Sequence, residues 1–330
     1  MTLAPLLVTA GLVLALDQPR AITSKDGTLD ITLALAAVKF TASNGARWWT
    51  RAYREGVSNE TDPELPGPTL RVSAGDRLRV NLVNALGPDA ESSEHNVLSA
   101  PNTTNLHTHG MHVSPNQDNN IVPVPPGESY QYEIDVPAYH MGGTHWYHPH
   151  HHGATALQTA GGALGVLVVE DAPGEVPPEL SQMAEKILVL THVDTATASR
   201  IEEASGGTLH VLSGGSDVDQ VLVNGKERSS ITLAVGKWYR LRVLFSGYDK
   251  ILYLALDGCE LGLLAKDGVY LGVAPRWVDT VFMYPGARAD VAVRCAAAGK
   301  FKLRGAEAST GRRARRRLQN GNGGGGGGGG

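Results

Sequence analysis

Histidines are concentrated in two short segments of this 330-residue chain. The first segment is Asn105-Leu-His-Thr-His-Gly110, and the second is Gly143-Thr-His-Trp-Tyr-His-Pro-His-His-His-Gly153. Six of the twelve histidines lie between His140 and His152. Imidazole nitrogen binds copper, zinc, iron and nickel, and few other roles bring so many imidazoles together. The two segments therefore predict a transition-metal site.

The spacing within each segment predicts how the imidazoles are presented. Because side chains alternate between the two faces of a strand, His107 and His109 should project from one side, as should His148, His150 and His152. If the two strands are neighbours, at least four ring nitrogens converge on a small volume. That arrangement favours a multinuclear site over a single ion, although imidazole alone does not identify the metal.

A solvated, histidine-rich loop is the alternative interpretation of the second segment. Trp146 and Tyr147 argue against it, because strands favour aromatic residues of this kind. The remaining histidines outside the paired pattern are expected to be ordinary surface or core residues: His95, His112, His192 and His210.

The elements that must position these histidines are short strands. Thr69–Ser73 and Arg77–Val83 carry apolar residues at every second position and are separated by a turn at Ala74–Asp76, which predicts strand, turn, strand. Similar segments fill residues 29–172, which are expected to form an antiparallel β-sandwich. A Pro/Gly/Glu linker at 173–178 is followed by a second set of strands over 179–305, without paired histidines. The metal site is thus predicted in the first of two domains.

Composition sets further limits. The chain is 42% hydrophobic and 19% charged, as in ordinary globular proteins, and its net charge of −4 argues against nucleic acid as the main partner. Its two cysteines, Cys259 and Cys295, exclude a disulfide-rich scaffold but leave a single bridge between them open.

The two ends of the chain differ from the rest. Residues 1–16 contain an apolar run that is too short to span a bilayer, which predicts a signal peptide and a secreted protein, with a buried first strand as the alternative. Sequons at Asn59 and Asn102 fit export. Residues 306–330 hold a basic run and a run of glycines, and they are expected to be a disordered tail.

Taken together, these segments resemble the multicopper oxidases, the family that includes laccases, ascorbate oxidase and bacterial copper oxidases. In the first domain the resemblance rests on Pro66–Asp76 and on the two histidine segments, Asn105–Gly110 and Thr144–Gly153. In the second domain it rests on four shorter motifs: Val223–Gly225, Tyr239–Arg242, Ala265–Gly268 and Tyr284–Val291.

The resemblance implies two tandem cupredoxin-like Greek-key β-sandwiches and a three-copper cluster. His107 would bind the mononuclear copper, and His109, His148 and His150 would bind the coupled copper pair. His152 would orient those ligands through hydrogen bonds, and no catalytic residue is implied beyond the ligands. The implied reaction is one-electron oxidation of a small-molecule or metal-ion reductant, coupled to reduction of dioxygen to water.

One departure from the family is clear. Its members carry the blue-copper cysteine and the remaining cluster ligands in a His-Cys-His motif of a last domain, whereas Cys259 and Cys295 have no neighbouring histidine. We therefore expect an incomplete oxidase with half of the cluster ligands, which another chain could complement.

Two other functions stay open. The first is a cupredoxin protein that binds copper without turnover. The second is a zinc hydrolase, because His107-Thr-His-Gly-Met-His112 is similar to a His-x-His-x-Asp-His pattern. Met111 stands where that pattern needs an aspartate, which weighs against the hydrolase.

Overall fold

The structure is a computed structural model that describes residues 2–3, 6–9, 16–58, 64–89, 97–209, 211–227, 229–273 and 275–307. His95, His210, the sequon at Asn59 and tail residues 308–330 lie outside these ranges, so the expectations for them stay predictions. Within the described ranges the chain is mostly β-structure, as predicted.

The strands follow one another at short intervals along the chain. Those of the first half are β1 (Thr2–Leu3), β2 (Leu6–Thr9), β3 (Ala21–Thr23), β4 (Thr28–Thr41), β5 (Arg47–Glu55), β6 (Thr69–Val72), β7 (Arg77–Asn84), β8 (His107–His109), β9 (Ser129–Asp135), β10 (Gly143–His148) and β11 (Gly165–Val169). Those of the second half are β12 (Ala184–Asp194), β13 (Leu212–Gly214), β14 (Asp219–Val223), β15 (Ser230–Thr232), β16 (Tyr239–Ser246), β17 (Leu252–Leu256), β18 (Glu260–Lys266), β19 (Val269–Tyr270), β20 (Arg276–Trp277), β21 (Val281–Met283), β22 (Arg288–Arg294) and β23 (Lys300–Glu307).

The first sandwich consists of the sheets β3-β6-β11-β10-β8 and β13-β5-β4-β7-β9. In β7 the apolar residues Leu78, Val80 and Leu82 are fully buried between the sheets, while the residues between them face outward. Strands β6 and β7 lie in different sheets, joined by a turn at Gly75, whose φ of +90° favours glycine. The alternation thus predicted both strands, but it did not predict that the chain changes sheets between them.

Both sandwiches contain mixed sheets, so the prediction of an antiparallel sandwich for the first domain is wrong in part. Strand β4 pairs in parallel with β7, β6 pairs in parallel with β11, and β12 pairs in parallel with β16. Alternating polarity reports which face of a strand is buried, but it carries no information on the direction of the neighbouring strand.

The second sandwich packs the sheet β1-β14-β12-β16-β22-β18-β19 against the sheet β15-β2-β23-β17-β21. Residues 2–3 and 6–9 pair as strands within it, which agrees with the first-strand alternative for the N-terminal run. The signal peptide stays a prediction.

The two sandwiches pack against each other through an apolar cluster beside the histidine strand. Trp146 of β10 and Val166 of β11 pack with Ile187 and Val189 of β12 and Leu244 of β16, and all five are buried. Strand β10 is therefore enclosed on both faces, and all six of its residues are buried.

Four helices interrupt the strands in the described part of the chain: α1 (Pro115–Asp118), α2 (Thr155–Gly161), α3 (Pro178–Ser181) and α4 (Thr195–Ala204). None of them has the length and apolar character needed to cross a membrane. Helix α4 was not predicted, because its residues form no strong apolar stripe in the sequence. Accordingly, the residues that it buries are Thr195, Ala198 and Glu202.

Candidate metal centre

Strands β8 and β10 are antiparallel neighbours, which places the two histidine segments side by side. His107 lies opposite His148, and His109 lies opposite Trp146. Directly opposed residues project from the same face of a sheet, and residues two apart on a strand share a face. All four rings are therefore on one face, as the spacing predicted for the histidines.

The imidazoles of this group lie close together. Ring centroids are 5.6 Å apart for His107 and His109, and 5.4 Å apart both for His107 and His148 and for His109 and His148. One ring nitrogen from each of these three residues lies within 4.8 Å of the others. This spacing suits transition-metal coordination by imidazole nitrogen.

His150 joins the group from beyond the end of β10. The strand ends at His148, because the following residue, Pro149, has no N–H for a further ladder bond. The backbone N–H of His150 donates instead to the side-chain oxygen of Asn105 at 2.6 Å. Its ring centroid lies 5.1 Å from that of His107. The prediction that the strand continues through His152 is wrong, but His150 still reaches the group, and we call His107, His109, His148 and His150 the imidazole group.

Hydrogen bonds fix which nitrogen of two of these rings is available to a metal. Nδ1 of His148 donates to the carbonyl oxygen of Pro149 at 2.8 Å, and Nδ1 of His107 donates to Oδ2 of Asp118 at 2.6 Å. A neutral imidazole carries one proton, so Nε2 of each ring keeps its lone pair. Such partners of the second ring nitrogen orient metal-binding histidines.

Asp118, at the end of α1, accepts three hydrogen bonds. Besides the bond from His107, its Oδ1 accepts from the backbone N–H and the hydroxyl of Thr108, each at 2.7 Å. Burial by itself would raise the pKa of Asp118, but the hydrogen bonds from His107 and Thr108 outweigh it and hold the pKa below its usual value. Asp118 is thus a carboxylate at neutral pH.

The rings of His109 and His148 are joined by a hydrogen bond. Nδ1 of His109 lies 3.1 Å from Nε2 of His148, which carries a lone pair because Nδ1 of His148 is the donor to Pro149. Without a metal, the proton of His109 therefore sits on Nδ1 and is donated to His148. Coordination through both Nδ1 of His109 and Nε2 of His148 requires that proton to move to Nε2 of His109.

Burial favours the neutral form of three of the imidazoles, those of His109, His148 and His150. It lowers the pKa of His109 to about 4, with further lowering by the positive charge of Arg288 and by His107. Burial also lowers the pKa of His148 well below its ordinary value, and it lowers that of His150 more moderately. Neutral imidazoles have the lone pairs that metal coordination needs. The group therefore fits a metal that prefers nitrogen ligands.

Comparisons with known proteins agree with this geometry. Two sequence profiles described as multicopper oxidase match residues 48–174 and 191–323. The chain belongs to the multicopper oxidase family. Both of its sandwiches are accordingly cupredoxin-like, and the family implies copper as the metal of the imidazole group.

Among curated relatives, the chain is 24% identical to the iron transport multicopper oxidase FET5 of Saccharomyces cerevisiae, over 80% of this chain and 41% of that protein. It is 30% identical to Laccase-3 of Thanatephorus cucumeris, over 69% of this chain and 39% of that protein. The chain thus spans about 40% of the length of such relatives.

Solved structures of multicopper oxidases share the fold. The enzyme from Campylobacter jejuni, described as a metallo-oxidase, superposes with a TM-score of 0.66 at 22% identity, covering 91% of this chain and 58% of that one. The enzyme from Pseudomonas thermotolerans gives a TM-score of 0.59 at 27% identity, covering 84% of this chain and 61% of that one.

His152 lies apart from the imidazole group. It is exposed, and no hydrogen bond among the described residues joins its ring to His107, His109, His148 or His150. The orienting contact predicted for His152 comes instead from Asp118. The sequence carried little signal for this, because an aspartate eleven residues after His107 falls in a loop with no regular period.

Trp146 and Asn105 are two further residues whose role the sequence did not reveal. The ring of Trp146 stacks on His148 with centroids 4.0 Å apart and lies 4.9 Å from that of His109. Asn105 links the segments, since its oxygen accepts from the backbone of His150 and its Nδ2 donates to the carbonyl oxygen of Asn120. Their position inside the histidine motifs was the only signal.

The second domain holds β10 in place through buried charges. The hydroxyl of Thr144 donates to Oδ1 of Asp290 at 2.6 Å and accepts from Nη1 of Arg242 at 2.9 Å. Arg240 also donates to Asp290, through Nε at 2.9 Å. Each of the three charged side chains is about 1% exposed. The strand that carries His148 is therefore tied to both domains.

The two cysteines are bonded to each other. Cys259 and Cys295 form a disulfide with a Cα–Cα distance of 4.3 Å, which resolves the pairing that the sequence left open. Neither of the chain's two cysteines is then available as a thiolate ligand for copper.

The zinc-hydrolase alternative does not match the geometry. His112 is exposed and faces His140 at a ring separation of 5.7 Å rather than joining His107 and His109, and Met111 packs against the core. The pattern that suggested a zinc hydrolase therefore does not form one site.

The second sequon is not an accessible glycosylation site. Asn102 is buried, and its side-chain oxygen accepts a hydrogen bond from Arg51. The sequon at this position therefore gives no support to export.

Proposed function

We propose that this chain supplies the imidazole group to a multinuclear copper cluster of an oxidase that reduces dioxygen to water with electrons from a one-electron reductant. The observation that carries the proposal is the convergence of one nitrogen each from His107, His109 and His148 within 4.8 Å. By family resemblance, His107 would hold the mononuclear copper, and His109, His148 and His150 would hold the coupled pair.

The chain's own residues prepare the site for the metal. Bound copper would supply the one-electron redox chemistry toward dioxygen. Pro149 and Asp118 keep the protons of His148 and His107 on Nδ1, which leaves both Nε2 atoms available. Trp146 covers two of the rings and excludes water from their inner side.

We further propose that another chain completes the cluster. His150 is exposed and lines a cavity of about 610 Å³ together with Leu98, Ile121 and His151. Ile121 is 85% exposed at its rim, and apolar residues at a rim fit a surface that a partner covers. A partner seated there could add ligands beside His150.

The reductant is a small molecule or a metal ion. Relatives named as laccases and as iron transport oxidases make phenols and ferrous ion the first compounds to test. The disulfide supports a secreted protein, because such bonds persist in oxidising compartments.

Copper content per chain tests the assignment of the ligands. After loading and dialysis, His148→Ala and His150→Ala should each retain less copper than the wild type. His152→Ala is the matched control, because it removes an exposed imidazole outside the group, and it should retain the wild-type amount. Unchanged copper in both His148→Ala and His150→Ala contradicts the proposal.

A second candidate function is copper binding without turnover by the chain alone. It is favoured by the disulfide, which leaves the chain without a cysteine thiolate to receive electrons from a reductant. We expect the purified, copper-loaded chain to consume no oxygen with a phenol or ferrous ion. Sustained oxygen uptake would rule this candidate out.

A further inference from the structure

A second group of histidines surrounds a separate cavity on the other face of β10. His145 is 3% exposed, and neither of its ring nitrogens has a hydrogen-bond partner in the part of the chain that the structure describes. A buried polar atom left without a partner loses the hydrogen bonds it would make in water, so such atoms usually meet a ligand or water. The ring lines a cavity of about 230 Å³ together with His112, His140 and Met141.

Two glycines leave room for the ring of His145. A Cβ atom at Gly268 would lie 2.7 Å from Cε1 of His145, and one at Gly110 would lie 3.0 Å from its Nδ1. Both glycines have positive φ, +85° and +91°, which side chains seldom adopt. The backbone is thus shaped around an imidazole that has no partner among the described residues.

His140 fixes the two segments that face His145. Its Nε2 accepts from the backbone N–H of His112 at 3.0 Å, and its Nδ1 donates to the carbonyl oxygen of Met141 at 2.8 Å. Both nitrogens of His140 are thus in use. The rings of His140 and His145 are 5.3 Å apart, and those of His112 and His140 are 5.7 Å apart.

The donors left over are imidazole nitrogens and a thioether sulfur. His112 and Met141 are exposed, so their side chains can rotate over the cavity on a fast timescale. Two imidazoles that bind a metal through nitrogen lone pairs, together with a thioether, form a donor set without anionic ligands that is partly soft. The guanidinium of Arg288 lies beside His145, because a Cβ atom placed on Gly110 would meet both Nη2 of Arg288 and Nδ1 of His145. A positive charge nearby disfavours divalent ions relative to a monovalent one.

We infer that His145, His112 and Met141 form a copper(I) site that is separate from the imidazole group, with His140 as a positioning residue. Asp267, which also lines the cavity, partly offsets the charge of Arg288. The site does not depend on the proposed oxidase function, because none of these residues belongs to the imidazole group.

Titration with copper(I) under nitrogen, against a chromophoric chelator of known affinity, tests the inference on the full chain. The wild type should bind one equivalent that the double variant His112→Ala/Met141→Leu loses or binds at least tenfold more weakly. Both residues are exposed, so this variant should fold. The variant His107→Ala/His109→Ala should keep that equivalent. Adding His152→Ala to this variant controls for the loss of an exposed imidazole, and the equivalent should again be kept.

X-ray absorption of the copper(I) form gives a second readout. In the His107→Ala/His109→Ala background, a sulfur neighbour should be seen, and it should disappear on replacing Met141 with leucine. Three results overturn the inference: an unchanged titration of His112→Ala/Met141→Leu, loss of all copper(I) binding in His107→Ala/His109→Ala, or zinc(II) bound as tightly as copper(I) with no sulfur neighbour. If only His148→Ala loses copper, the result concerns the imidazole group and does not count against the copper(I) site.

Discussion

Asp118 accepts a hydrogen bond from Nδ1 of His107 across 2.6 Å, and this contact sets which nitrogen of His107 faces the rings of His109 and His148. The same carboxylate is tied to the backbone and hydroxyl of Thr108 in β8. One buried aspartate from α1 thus fixes both the strand and the ring of His107, a proposed copper ligand.

Asp118→Asn should weaken copper binding about 10–100-fold, because replacing an outer partner of a ligand typically has an effect of that size. The asparagine keeps the shape but removes the charge that favours the Nδ1–H form of His107. Equilibrium titration with copper, monitored by competition with a chelator, measures the change. Asp135→Asn is the control, since Asp135 is an exposed carboxylate of the same sandwich. Equal affinities for Asp118→Asn and wild type would contradict this role.

The stability of the metal-free protein should fall as the pH is lowered. Burial, with His140 and Arg288 nearby, lowers the pKa of His145 to about 3, whereas an unfolded histidine titrates near about 6.5. Between these values the unfolded state binds more protons, so the stabilisation is full above about pH 6.5 and is lost as the pH falls toward the folded pKa.

His145→Gln isolates this contribution. Below about pH 6, the dependence of the unfolding free energy on pH should be shallower in the variant, by up to about 1.4 kcal/mol per pH unit. Urea denaturation at several pH values provides the measurement, with His152→Gln as the exposed control. Identical slopes for His145→Gln and the wild type would show that His145 does not titrate as its burial demands.

Asp290→Asn should destabilise the protein by up to about 3–5 kcal/mol, because it removes the buried carboxylate that Arg240 and Arg242 share. Arg240 then keeps only Asp171 and Glu185 as ion-pair partners, and Arg242 keeps only Glu185. The free energy of unfolding in urea checks this value. Asp135→Asn removes one partner of the exposed Arg77 ion pair and should change stability little. If both variants unfold alike, the interdomain charge network does not stabilise the fold.

Replacing both cysteines, as Cys259→Ser/Cys295→Ser, should lower the unfolding free energy by about 2–4 kcal/mol. The disulfide closes a segment with a sequence separation of 36 and thereby restricts the unfolded chain. Copper bound by the imidazole group should not change, because the disulfide lies in the second sandwich. A loss of copper in this variant would show that the two domains are coupled more closely than the contacts indicate.

The strands and the clustering of the histidines could be predicted because each leaves a local pattern. Leu78, Val80 and Leu82 alternate with polar residues, and His107 and His109 repeat the same two-residue spacing. The tertiary fold sets β8 and β10 side by side. This pairing was nevertheless expected from the hypothesis that both histidine segments bind one metal centre.

Other features had no local signal. Parallel pairing of β4 with β7 depends on the path of the intervening chain, and the role of Asp118 depends on how the loop after β8 folds back. The strand was expected to run on to His152, but Pro149 ends it, and His150 is held by Asn105 instead. The disulfide likewise depends on the tertiary fold, since two cysteines by themselves do not imply a bond.

Locating bound copper is the decisive experiment for the imidazole group. Crystals of the copper-loaded chain, measured on both sides of the copper absorption edge, reveal the metal by its anomalous scattering. The predicted result is a strong anomalous peak within bonding distance of ring nitrogens of His107, His109 and His148. Copper located only elsewhere, or rings of these three residues turned away from one another, would refute the assignment of these histidines as ligands.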